Sequence, residues 1–355
     1  MENKGDNFDE YNELVHKIDA YIEKINNDRS YQRDLSLYIE TRAMIHQYDA
    51  ENNESFELLY DVHKNFLSAN SDAKVLLLTG NPGVGKSLFC KYLQKHLLLD
   101  WDGKYLDSIE WLPLYVNSAK LENPKKSAAH EVLTKALNLS QEQISMLQRM
   151  KTPRLLFIFD GYEEIQESKS LESEEDYIEK NFYMTNKFGE CWDRAKCIIV
   201  CREQNVSKVS RRDQFFAPIE LTKGIAVPGS FMERFIVPFR DLDITLYLRK
   251  YTALGNKELS QDPKHLLFQT ESWSLATAYE KLIDEFQIRD LVRLPFNLYL
   301  AAHVLFTLKE NLQNEGKSAE TLTQEDSRVS TIIKNSQKFT GFKKNIQKKD
   351  ATNTN

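Results

Sequence analysis

Three short stretches hold residues whose types and spacing suit phosphate chemistry. The first is GNPGVGKS, comprising Gly80, Asn81, Pro82, Gly83, Val84, Gly85, Lys86 and Ser87, with Leu88 opening the segment beyond. The glycines let backbone N–H groups turn inward and approach phosphate oxygens, while the start of a following helix adds partial positive charge. In such a cradle the Lys86 ammonium reaches the β- and γ-phosphates, and the Ser87 hydroxyl completes the shell of a Mg²⁺ ion. A glycine loop of purely structural purpose is the competing reading, and it does not need the strand and helix that flank this one. The second stretch is the apolar run Leu155–Phe159 ending in Asp160, followed by Gly161, Tyr162, Glu163 and Glu164. A carboxylate delivered by the end of a buried strand suits Mg²⁺, and an acid just beyond it can orient and deprotonate an attacking water. An ordinary acidic helix start, favoured by the helix dipole, is the alternative for Glu163 and Glu164. The third is Arg202, directly after Cys197–Cys201. Its planar fork can neutralise a γ-phosphate, and a surface salt bridge is the alternative. The adjacent pair Arg211 and Arg212 reads as a solvated loop.

The surrounding sequence must place these groups on one edge of a sheet. Apolar runs predict strands at Val75–Thr79, Trp111–Val116, Arg154–Phe159, Cys197–Cys201 and Ala217–Leu221, with helices between them at Leu88–Leu99, Ser127–Leu137 and Gln141–Met150. Alternation of this kind predicts an α/β fold with a parallel sheet and helices on both faces. The acidic stretch Glu163–Glu179 reads as a partly exposed helix with a solvated face. Before the sheet, Tyr11, Leu14, Val15, Ile18, Tyr21, Ile22 and Ile25 fall on helical spacing and form one apolar stripe, suited to packing on the body or to receiving a partner helix. A helix over Phe56–Leu67 leads into the first strand. After about residue 225 strand signals stop, and Asp243–Tyr251, Thr277–Gln287 and Phe296–Lys309 read as a small helical domain. The expected organisation is an N-terminal helical segment at 1–55, a nucleotide-binding domain at 56–225, a helical domain at 226–312 and a polar, disordered tail at 313–355.

At 355 residues the chain exceeds one ordinary core. Lys and Arg number 47 against 53 Asp and Glu, a formal charge of −6, which argues against nucleic acid or an anionic membrane as the main partner. Cys90, Cys191, Cys197 and Cys201 lack the paired spacing of a zinc site and read as reduced core thiols. No apolar signal core opens the chain and no uncharged run is long enough to span a bilayer, so a cytoplasmic protein is expected.

The order of GNPGVGKS, Asp160-Gly161-Tyr162-Glu163-Glu164, Cys201-Arg202-Glu203, Val237-Pro238-Phe239 and Arg293-Leu294-Pro295-Phe296 resembles the NACHT class of STAND ATPases over about residues 56–310. The loop is generic to many NTPases; its combination with the acidic motif and the late proline is far more specific. The resemblance implies a P-loop domain followed by a helical domain, ATP or ADP with Mg²⁺ as ligands, and association with a protein partner or a second copy. It implies that Lys86 and Ser87 hold phosphate and Mg²⁺, Asp160 is the metal carboxylate and Glu164 orients water. It further implies that Arg202 senses the γ-phosphate and Pro295 packs on adenine. Two departures stand out. The family usually has Asp before the final Glu, whereas Glu163 precedes Glu164 here, which slows turnover or shifts it to the other acid. The chain also ends soon after the first helical domain, without winged-helix or sensor repeats, so it reads as a fragment or as a minimal form regulated by residues 1–55, by the tail or by another chain. The resulting expectation is a slowly hydrolysing nucleotide switch; the other readings are a nucleotide-bound scaffold that does not turn over and, disfavoured by the lack of a recognisable acceptor-binding lid, a P-loop kinase or other P-loop ATPase acting on a substrate.

Overall fold

A computed structural model describes residues 6–45, 54–122, 127–165, 181–206, 211–261 and 275–314. The chain forms two compact units, one of Met1–Pro82 with Lys86–Val237, the other of Gly83–Gly85 with Pro238–Asn355.

The first unit is built on a seven-stranded sheet in the order β2-β1-β9-β3-β6-β5-β4. Its members are β1 (Arg42–Met44), β2 (Phe56–Glu57), β3 (Val75–Thr79), β4 (Trp111–Asn117), β5 (Arg154–Asp160), β6 (Lys196–Val200) and β9 (Phe231–Ile236). From β9 through β4 every pairing is parallel; β1 runs antiparallel to both β2 and β9. The α/β fold with a mostly parallel sheet is therefore as the sequence predicts. All five residues of β3 and of β6 are buried, which is why these strands read as apolar runs up to Thr79 at the end of β3 and from Cys197 on in β6, where the Lys196 ammonium is satisfied by the Phe66 and Ser71 carbonyls.

Several elements differ from expectation. Residues 219–220 form β7, which pairs only with β8 (Ile225–Ala226) in a separate two-stranded ribbon. The sheet continues past residue 225 with β9, whose Glu233 and Arg234 disguise it as a loop. Arg234 makes a two-pronged ion pair with buried Asp61 at 2.7 and 3.2 Å, and Arg212 joins Glu233 to Glu203, with the Glu203 contact at 2.9 Å. Arg212 thus leaves its expected solvated loop, because two carboxylates from neighbouring elements neutralise it. The segment 56–67 is also not one α-helix: after β2 come a single turn at Leu58–Asp61 and a π-helical stretch at Val62–Leu67. Cys90, Cys197 and Cys201 are buried thiols as expected, but Cys191 is exposed at the end of the short helix Phe188–Cys191. The expected acidic helix is a single 3-10 turn at Tyr162–Ile165 as far as the described residues reach; its remainder and the tail beyond 314 lie outside them.

The longer helices among the described residues of this unit are α1 (Asp6–Asn27), α2 (Arg29–Ser36), α3 (Lys86–Leu97), α4 (Ala128–Ala136) and α5 (Gln141–Arg149). Leu14, Val15, Ile18 and Ile22 of α1 are buried in the same cluster as Leu112, Leu114, Phe157 and Ile199 of the sheet and Val132 and Ile144 of α4 and α5. The apolar stripe is therefore core, and Tyr11, Tyr21 and Ile25 flank it, partly buried. Asp28 caps α2 by accepting from the Tyr31 N–H at 3.0 Å. The Tyr31 hydroxyl donates to the Lys91 carbonyl of α3 at 2.5 Å, and Gln94 of α3 donates to the Tyr21 hydroxyl at 2.7 Å. Tyr38 and Tyr92 stack with centroids 3.9 Å apart. The N-terminal segment thus packs on the helix that leaves the glycine loop.

Among its described residues the second unit has three α-helices, α6 (Asp241–Gln261), α7 (Ala276–Glu285) and α8 (Pro295–Asn314). Tyr279, Ile283, Leu298, Ala301 and Leu305 are fully buried and make its core. No helix among the described residues is long and apolar enough to cross a membrane.

Candidate functional site

The glycine loop joins the last residue of β3, Thr79, to the first residue of α3, Lys86. Gly83 and Gly85 adopt φ values of 79° and 100°, a region that side chains disfavour. Val84 is buried, while Asn81, Pro82 and Ser87 are exposed and Leu88 is partly covered. The Lys86 ammonium donates to the Gly80 carbonyl at 2.7 Å and the Asn81 carbonyl at 3.0 Å, which folds the side chain back over the loop. Burial lowers its pKa, against the opposing pull of Glu163, Asp160 and Cys201. The Thr79 hydroxyl, one residue before the loop, is buried without a hydrogen-bond partner among the described residues.

The sheet order sets the rest of the site. β6 lies between β3 and β5, so the carboxyl ends of three parallel strands bring Gly80, Cys201-Arg202 and Asp160 to one edge. Asp160 pairs in register with Val200 and with Asn117 of β4. It is nearly buried and accepts a hydrogen bond from the Tyr115 hydroxyl at 2.6 Å. Burial raises the Tyr115 pKa, and the Asp160 charge raises it further. Glu163, one turn on, accepts from the Arg202 side chain at 2.9 Å and from the Arg202 backbone N–H at 3.3 Å. The Cys201 thiol, raised in pKa by burial, also meets Glu163. Glu164 lies in the same 3-10 turn, with its side chain outside the described set.

Asp160, Glu163, Cys201 and Arg202 thus all lie within electrostatic range of Lys86. Pro295 opens α8 in the second unit. That unit includes Gly83–Gly85, where the Phe296 N–H donates to the Gly83 carbonyl at 3.1 Å. Tyr115 and Cys201 are the site neighbours that sequence reading passes over. Tyr115 sits in a run that reads only as a strand, and nothing local ties it to an acid 45 residues away.

Residues 74–222 match the NACHT domain family. Over this stretch the chain is similar to a NACHT domain. The match begins one residue before β3 and contains the glycine loop, Asp160, Glu163 and Arg202, so the sheet edge described above belongs to a P-loop domain of nucleotide-binding ATPase type. No curated protein matches the chain. Among solved structures it is similar to the ORC2 protein of Aeropyrum pernix in ADPNP-ADP complexes, at 13% identity and TM-score 0.41, covering 78% of this chain and 66% of that one. It is also similar to PCH-2 of C. elegans, at 14% identity and TM-score 0.38, covering 80% and 66%, and to the ADP form of the same ORC2 protein, at 12% and 0.37, covering 74% and 62%. The chain spans less than two thirds of the length of each of these structures.

The donor set of this sheet edge also bears on the metal. Among the described residues no cluster of three or more His, Cys, Asp or Glu is able to hold an ion alone. A hydroxyl at Ser87 and one carboxylate at Asp160 are hard oxygen donors of the kind Mg²⁺ takes when phosphates and water complete its shell. The residues present therefore fit a Mg²⁺-nucleotide rather than a free-standing metal site.

Proposed function

We propose that the NACHT domain of this chain binds ATP or ADP with Mg²⁺, hydrolyses slowly and uses nucleotide state to govern association with a protein partner or a second copy of itself. The observation that carries this reading is the glycine loop between β3 and α3, with Lys86 folded over it and Asp160 on the same sheet edge. Lys86 exchanges its two carbonyl acceptors for phosphate oxygens, and the loop from Gly80 to Leu88 lines the phosphates with its backbone N–H groups, Pro82 alone having none to give. Ser87 and Asp160 hold Mg²⁺, which when bound neutralises charge on the β- and γ-phosphates. Glu164, or Glu163 in its stead, orients the attacking water, and Arg202 answers to the γ-phosphate. Pro295 packs on the adenine, as the family resemblance implies. In this reading residues 1–55 form the N-terminal helical segment, 56–225 the nucleotide-binding domain, 226–312 the helical domain and 313–355 a polar tail, and the protein works in the cytoplasm.

The ion pair of Arg202 with Glu163 favours a second reading, a nucleotide-bound scaffold that does not turn over, because it engages both the sensing arginine and one of the two acids. Mass spectrometry of nucleotide co-purifying with the protein, followed by single-turnover assays with labelled ATP, tests both. ADP or ATP at near stoichiometry with slow conversion supports the switch. Bound ATP that persists unchanged supports the scaffold, and absence of any nucleotide affinity refutes both.

A further inference from the structure

On β4 the residue directly opposite Asp160 is Asn117, whose side chain caps the following turn by accepting from the Ala119 N–H at 2.9 Å. Tyr115, two residues earlier, points to the same face of the sheet, and its ring runs along the diagonal to bring the hydroxyl within 2.6 Å of Asp160 Oδ2. That distance is typical of a hydroxyl donating to an ionised carboxylate. We propose that Tyr115 is a positioning residue for the metal carboxylate: its hydroxyl holds Asp160 in the orientation in which the carboxylate meets a nucleotide-bound divalent cation. The inference rests on the Mg²⁺-nucleotide reading given above.

Two physical points support this role over a structural one. The terminal torsion of an aspartate is soft and two-fold, so a carboxylate without a fixed partner samples a broad range of orientations. One strong donor at Oδ2 removes that freedom and leaves Oδ1 free of Tyr115. By contrast, the bond adds little to the pairing of β4 with β5, which already runs in parallel register from Trp111 opposite Arg154 to Asn117 opposite Asp160. Partners of this outer kind, when removed, commonly cost ten- to a hundredfold in metal affinity, and for a hard, mostly hydrated cation the lower end applies, about tenfold.

The test is Tyr115→Phe in the full chain, read by titrating a fluorescent ADP analogue against Mg²⁺ with an EDTA baseline, and by Mn²⁺ electron paramagnetic resonance in the presence of ADP. The expected result is unchanged affinity in EDTA, an unchanged thermal melt and a Mg²⁺ midpoint raised about tenfold. In the Asp160→Asn background Tyr115→Phe should add nothing. A midpoint equal to wild type, or an equal loss of affinity with and without Mg²⁺, overturns the positioning role while leaving the nucleotide reading intact. A wild-type protein whose nucleotide binding ignores Mg²⁺ overturns both.

Discussion

Replacing Lys86 with Ala should separate nucleotide binding from folding. Its ammonium makes two hydrogen bonds, to the carbonyls of Gly80 at 2.7 Å and Asn81 at 3.0 Å. In a nucleotide complex those acceptors give way to charged phosphate oxygens. A hydrogen bond involving a charged group contributes about 1.5–3 kcal/mol, and one between a cation and an anion lies at the upper end. After subtracting the carbonyl bonds surrendered, the exchange is worth about 2–4 kcal/mol, so the substitution should weaken Kd by roughly 30- to 1,000-fold. The folded protein should lose much less. Burial already lowers the Lys86 pKa, so the charge sits at a solvation cost that alanine relieves and that offsets most of the two lost bonds. A net loss under about 1 kcal/mol corresponds to a melting shift of roughly 2–4 °C for a unit of this size. Titration of a fluorescent ADP analogue, paired with a thermal melt, measures both quantities. A well-folded Lys86→Ala protein whose Kd lies within about threefold of wild type would refute the assignment of this loop to phosphate.

Glu164→Gln should retain nucleotide affinity and lower single-turnover hydrolysis by about 10²-fold or more, whereas Asp160→Asn should also weaken Mg²⁺-dependent binding; equal turnover in Glu164→Gln and wild type assigns the water to Glu163 instead. Leu14 of α1 is fully buried, so Leu14→Ala should cost about 3 kcal/mol in urea unfolding, and a loss under about 1 kcal/mol would mean that α1 lies outside the cooperative unit. His63 has its pKa lowered first by burial and then by His96, whose ring lies 5.1 Å away, while Glu110 pulls the other way. The unfolded chain therefore binds this proton more readily, and stability should decline as pH drops below about 6.5. The slope of urea midpoint against pH between 7.5 and 5.5 should be shallower in His63→Gln, and identical slopes would count against it.

Much of this molecule is legible where one residue type decides the outcome. β3, β5 and β6 announce themselves because strands covered on both faces are apolar between their end residues, and the loop after β3 because its glycines and Lys86 serve a backbone purpose. What stays hidden depends on partners distant in sequence. β9 carries Glu233 and Arg234 in its middle, and only the three-dimensional arrangement supplies Arg212 and Asp61 to neutralise them. The same holds at the site: a reading along the chain finds Asp160, but the tyrosine that grips it belongs to the neighbouring strand.

The burial of α1 also has a consequence for synthesis. Lys17 of this helix donates to Gln143 of α5 at 3.0 Å across 126 residues of sequence, and the stripe of Leu14, Ile18 and Ile22 shares one cluster with α5 and the strands before it. At about 5–20 residues per second, the ribosome needs roughly 6–25 s to supply that covering after the helix has been made. Throughout that interval α1 of the nascent chain lacks the α5 part of its cover, so chaperone occupancy of ribosome-bound chains should peak before α5 emerges and fall once it does.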